Sequence, residues 1–136
     1  MLVDDSAATS RALRRAAATA AILRAPLLAI VVDTPAESSA PGERTRRIRE
    51  HLDDAMDLGA EILTIEAANV ADGVVQIALA RRVTRLIMPH RHSTTLERVR
   101  RMPLADRILE KIPTLEITIV ADAREGTDAY QVGRGD

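Results

Sequence analysis

Residues 26–35 read PLLAIVVDTP. From Leu27 to Val32 every side chain is apolar, with no polar residue at alternate positions. A strand with one wet face alternates, whereas a strand covered on both faces does not. The run therefore reads as a parallel strand buried between two layers. Pro26 opens it, and the Pro, Ser and Thr of residues 33–42 read as the loop that follows.

Working outward, the same grammar repeats. Before the run, Ser6 is placed to cap a helix reaching about Arg24, with Leu13, Ala16, Ala17, Ala20 and Leu23 on one stripe. Leu2 and Val3 precede it as a short strand. After the run, Ile48, Leu52, Ala55 and Met56 mark a second helix that stops at Gly59, and residues 62–65 form the next strand. Asn69 with Asp72 reads as an N-terminal capping pair for a helix carrying Val70, Val74, Ile77 and Ala78. Residues 86–88 are a short apolar strand, followed by a polar, basic loop at residues 89–95. Leu104, Ile108 and Ile112 form a last helical stripe that Pro113 ends, and residues 115–120 form the fifth strand. The spacing predicts an α/β fold, a three-layer Rossmann-like sandwich on a five-stranded parallel sheet. Residues 1–122 form the domain, and residues 123–136, without apolar period, read as a disordered tail.

The chain has 136 residues, enough for one core. Its net charge of −1 excludes a uniformly basic nucleic-acid binder, and with no Trp, no Phe and one Tyr there are no aromatic platforms for single strands. Without cysteine there are no disulfides, thiol nucleophiles or iron–sulfur ligands. No run approaches the ~20 apolar residues of a membrane span, and the acidic start MLVDDS is unlike a secretory signal, so a cytoplasmic protein is expected. Only three residues precede Asp4, where a central strand usually has about five, so the start is expected to lie upstream or the chain to be cut from a longer protein. Residues 81–107 hold eight Arg against Glu97 and Asp106, a local basic field that reads as an anion site, a partner surface or a solvated helix face.

In parallel sheets ligands bind beyond the carboxyl ends of the strands. Here those places are residues 4–6, 31–35, 67–69 and 89–95. Asp4 and Asp5 beside Ser6 suit the magnesium site of a receiver domain, but no Asp ends the third strand and no Lys the fifth. His90 and His92 flank Arg91, and the only other His is His51, too few ligands for a metal centre. No acid, base and nucleophile come together, so no enzyme is expected.

The runs LVDDSAATSRALRRAA, APLLAIVVDTP, VTRLIMP and PLADRILEKIPTLEITIV, in this order over residues 1–122, resemble the universal stress protein family. The likeness is to the branch found inside KdpD-type potassium-responsive sensor kinases. The resemblance implies the adenine nucleotide alpha hydrolase-like fold, strand order 3-2-1-4-5, and adenosine held by Asp4 and Val31. The family grips phosphates after the fourth strand with glycines and a Ser or Thr. The matching positions here are Pro89, His92, Met102 and Pro103. Glycines there admit phosphate to backbone N–H groups, and each proline deletes an N–H. The usual ATP mode is therefore not expected, and no cofactor is assigned. Relatives that bind cyclic di-AMP carry Ser-x-Ser and Phe-Thr-Ala-x-Tyr, of which only Ser6 and Ala29 match.

The expectation is a non-catalytic regulatory module, without a cofactor, that dimerises and docks on an unknown protein partner in an osmotic or potassium response. The alternative is a module for an anionic small ligand, ATP, AMP or a cyclic dinucleotide. In it Asp4, Ser6, Val31 and Pro89 line the site, and Arg91 and His92 replace the glycine cradle with charge-assisted bonds. The homodimer is expected through residues 115–120, whose Leu115, Ile117 and Ile119 alternate with Glu116, Thr118 and Val120 and lack the Pro, Lys or Gly that protects an edge. No nucleic acid and no membrane are expected as partners.

Overall fold

A computed structural model describes residues 1–35, 42–90 and 103–122. Residues 123–136, read as a tail, and Arg91, His92 and Met102 lie outside the described residues.

The run that opened the sequence analysis is strand β1, Leu28–Asp33, with its four central residues buried. It pairs in parallel with β2, Glu61–Glu66, from Leu28 opposite Glu61 to Asp33 opposite Glu66. Strands β3, Arg85–Pro89, and β4, Glu116–Val120, form a second parallel pair. Regular pairing thus yields two two-stranded sheets where the sequence predicts one of five strands. The physical reason lies at the start of the chain, where three residues can form only a few ladder bonds. Leu2 makes an isolated parallel bridge to Ile30. Val3 N–H donates to Ile30 O at 2.8 Å, Ile30 N–H to Met1 O at 2.8 Å, and Leu2 N–H to Ile87 O at 3.0 Å. The segment is hydrogen-bonded to both pairs without counting as a strand in either.

Four helices stand among the described residues: α1, Ala8–Leu23; α2, Gly42–Asp57; α3, Val70–Ala80; and α4, Leu104–Lys111. Side chains of the strands alternate between two cores. Ala29, Val31, Ile87, Met1 and Val3 join Ala12, Leu13 and Ala16 of α1 and Ile48 and Ala55 of α2. Ile30, Val32, Leu86, Met88 and Leu2 join Val74 and Ile77 of α3 and Ile108 of α4. One helix pair therefore covers each side. The small side chains of α1 let it lie close to the strands, but its buried stripe is shifted from the expected one, and Leu23 is exposed. Met56 likewise faces solvent.

Helix ends follow local chemistry. Gly59, at φ 86°, stands in the left-handed region after α2, with Gly59 N–H donating to Met56 O and Ala60 N–H to Ala55 O, both at 3.0 Å. Arg24 and Arg82 hold the same conformation after α1 and α3 without being glycine. At the start of α3, Asn69 Oδ1 accepts from Asp72 N–H at 2.9 Å and Asn69 Nδ2 donates to Asp72 Oδ2 at 3.0 Å, the expected capping pair. The expectation for α1 fails. Its N-cap is Ala7, with no side-chain bond, because the Ser6 hydroxyl is engaged elsewhere.

Candidate functional site

The segment 1–3 delivers Asp4 to the carboxyl end of the strands, the side on which β1 ends at Asp33 and β3 at Pro89. Asp4 is buried. Its Oδ1 accepts from Ser6 N–H at 2.9 Å, Ser6 Oγ at 2.6 Å and Thr9 Oγ1 at 2.8 Å. The first is an Asx-type turn, which folds the chain back at once and launches α1 one residue beyond Ala7. Thr9, in the first turn of α1, is wholly buried, and its hydroxyl also approaches Asp4 O at 3.3 Å and Ser6 Oγ at 3.2 Å. An oxygen shared by three donors fixes the plane of the carboxylate.

Asp5 turns toward α2, where its Oδ1 lies 4.0 Å from Nε of Arg44. The Arg44 side chain is only 18% exposed, so a guanidinium from the first turn of α2 is tucked beside the Asp4 turn. Thr34, immediately after β1, is also buried. Among the described residues these groups give the strand ends two adjacent carboxylates, one guanidinium and three hydroxyls. The arrangement suits hydrogen bonding to a polar ligand at a fixed acceptor.

Of the expected site residues, Asp4 and Ser6 are brought into direct contact. Val31 is buried in the core under α1 and α2, two residues short of the end of β1. Pro89 is fully buried as the last residue of β3, opposite Val120. They lie on the two strands to which segment 1–3 bonds, one on either side of it. Arg91 and His92 are outside the described residues. Pro103 is the N-cap residue of α4 and provides no side-chain cap. The basic field of residues 81–107 is partly committed elsewhere. Arg81 makes a two-pronged contact with Glu61 at 2.7 Å, and Arg85 lies 2.9 Å from Glu116, both at the opposite ends of the strands. Those two guanidiniums serve the framework.

Thr9 and Arg44 escaped the sequence reading. Thr9 carried a usable signal, since it follows Ser6 by one helical turn, as a residue facing the same turn must. Arg44 carried none, because it reaches Asp5 across 39 positions of chain. A shallow groove of about 330 Å³ lies away from this place, between α1 and α2, lined by Leu13, Arg14, Asp54 and Leu58 among others. Among the described residues no helix is long and apolar enough to cross a membrane.

At the level of sequence, no family model and no curated protein matches the chain. Solved structures do. A universal stress protein crystallised in complex with cAMP is similar over 90% of this chain and 94% of its own, with 23% identity and a TM-score of 0.68. A protein of the universal stress protein family from Burkholderia pseudomallei is similar over 87% of this chain and 90% of its own, with 23% identity and a TM-score of 0.55. The parallel strands covered by helix pairs are thus similar in fold to the universal stress proteins.

Proposed function

We propose that the chain is a universal stress protein module that binds an adenine nucleotide without catalysing its turnover. The observation that carries this reading is Asp4, buried at the strand ends and held by three donors on one oxygen. A carboxylate so placed offers a fixed acceptor to a ligand amino or hydroxyl group. The fold supports the nucleotide part, since a member of like fold carries cAMP. Pro89 and Pro103 support a nucleotide with few phosphates, because neither offers an N–H to a triphosphate. A role in potassium or osmotic response rests on the resemblance to the sensor-kinase branch. The test is thermal unfolding with cAMP, AMP and ATP. A ligand at a hundred times its dissociation constant adds about 2.7 kcal/mol. Stabilisation by cAMP or AMP that Asp4→Asn abolishes is expected, and a wild-type protein indifferent to all three refutes the reading.

A homodimer through β4 is the second element of the proposal. Glu116, Thr118 and Ile119 are exposed on that strand, Ile119 at 51%, and among the described residues β4 is paired on one side only, with β3. Light scattering tests it. A monomer mass, with or without residues 123–136, refutes it.

A further inference from the structure

The geometry points to Thr9 as the positioning residue of the candidate site, a group that touches no ligand but sets the orientation in which Asp4 meets a hydrogen-bond donor. The inference rests on the nucleotide-binding reading above and adds to it the reason Asp4 presents an acceptor in one fixed direction. Three donors converge on Asp4 Oδ1, and they are not equivalent. Ser6 supplies two of them from a half-buried position, where a water can stand in for a lost hydroxyl. Thr9 supplies the third with no exposed surface at all. Its single hydroxyl proton is directed to Oδ1 at 2.8 Å, with the main-chain carbonyl of Asp4 at 3.3 Å as the lesser acceptor. The β-branched side chain sits in the first turn of a helix, where few rotamers are open to it.

One side chain therefore grips both the carboxylate and the backbone of the same residue. With Thr9 in place, the carboxylate plane is locked relative to α1. Without it, one oxygen of a buried carboxylate loses a donor that solvent cannot replace, and the group turns to find another. The ligand class that such an acceptor selects carries N–H or O–H groups at the point of contact. An adenine amino group and a ribose hydroxyl both qualify, and an anionic oxygen does not.

The experiment compares cAMP binding by calorimetry in wild type, Asp4→Asn, Thr9→Val, Thr9→Ser and Ser6→Ala, each below its unfolding temperature, with stoichiometry reporting the folded fraction. Thr9→Val is expected to lose at least tenfold in affinity at full stoichiometry. Thr9→Ser, which restores the hydroxyl, should stay within about threefold of wild type, and Ser6→Ala should lose less than Thr9→Val. If Asp4→Asn loses cAMP while Thr9→Val binds it as wild type does, the positioning role is overturned and the nucleotide reading stands. If Asp4→Asn binds as wild type does, Asp4 is not the acceptor and the inference is overturned while nucleotide binding stands; a wild type indifferent to cAMP, AMP and ATP overturns both. Should Thr9→Val not fold, the Thr9 hydroxyl proton in wild type decides by NMR. Slow exchange with water that cAMP slows further is expected, and exchange indifferent to bound cAMP overturns the role.

Discussion

Replacing Gly73 with Ala places a methyl group where the structure has no room for one. Gly73 is buried in the first turn and a half of α3, facing β1. A Cβ there would stand 2.6 Å from Cγ1, 2.8 Å from Cγ2 and 3.2 Å from Cβ of Val32. Because both methyls and the branching carbon are too close, turning Val32 about χ1 exchanges one clash for another. Val32 cannot retreat, since it is the buried fifth residue of a strand hydrogen-bonded to β2. Relief must come from α3 lifting away, which loosens Val74 and Ile77 in the same core. Overpacking of this kind costs about 1–3 kcal/mol, and the better helix propensity of Ala returns about 1 kcal/mol. The net expectation is a loss of up to about 2 kcal/mol, read as a lower urea midpoint with unchanged slope. The sign should reverse in a Val32→Ala background, where the two methyls are gone and only the 3.2 Å approach of Cβ stands against the propensity gain. The coupling between the two substitutions is then about 2 kcal/mol. A Gly73→Ala protein that is more stable than wild type with Val32 intact would refute the packing argument.

The remaining predictions concern groups whose surroundings are equally explicit. The Met1 amine donates to Leu28 O at 2.7 Å, and burial lowers its pKa from the usual 8.0 to about 5. In a chain whose first residue is Met1, the unfolded state therefore takes up a proton between pH 8 and 5 that the folded state refuses. Stability should fall across that window by about 4 kcal/mol at most, and a urea midpoint that stays flat from pH 8 to 5 contradicts the burial. Asn69→Ala removes the acceptor for Asp72 N–H at the start of α3 and should cost about 1 kcal/mol in chemical denaturation, where no change would deny the cap its role. Gly59→Ala forces a Cβ into the left-handed region and should cost about 1–2 kcal/mol although nothing lies within 4 Å of it; a neutral result would show that backbone strain there is negligible.

How much of this was legible in the sequence depends on how local each cause is. The unbroken apolar run of β1 announced two covered faces, and the cores on either side use alternate residues of that run. The Asn69–Asp72 pair and Gly59 were legible because a cap and a left-handed turn are built from neighbours in the chain. Ser6 was misassigned as a cap for the opposite reason. Its hydroxyl donates to the buried carboxylate of Asp4 and accepts from no N–H of the first turn, where a cap would have to accept. Gly73 carries no local sign of the Val32 side chain packed against it. The pairing of Asp5 with Arg44 depends on how α1 and α2 pack, which no spacing encodes. The single five-stranded sheet was read from the number of apolar runs, but runs do not reveal how many ladder bonds a three-residue segment sustains.

That short segment also explains why the site and the fold are hard to separate in this chain. Met1 and Val3 point into one core and Leu2 into the other, so three residues contribute to both layers. Their backbone groups bond to β1 on one side and β3 on the other. The next residue is Asp4, which the Ser6 and Thr9 hydroxyls fasten to the start of α1. The carboxylate is thus the joint between a minimal strand and the helix that packs against β3 and β4. A ligand that binds only when Asp4 is seated draws on the same hydrogen bonds that hold the two strand pairs to the segment. By mass action its binding free energy is added to those bonds, and the place where the sheet is thinnest is the place a ligand would reinforce.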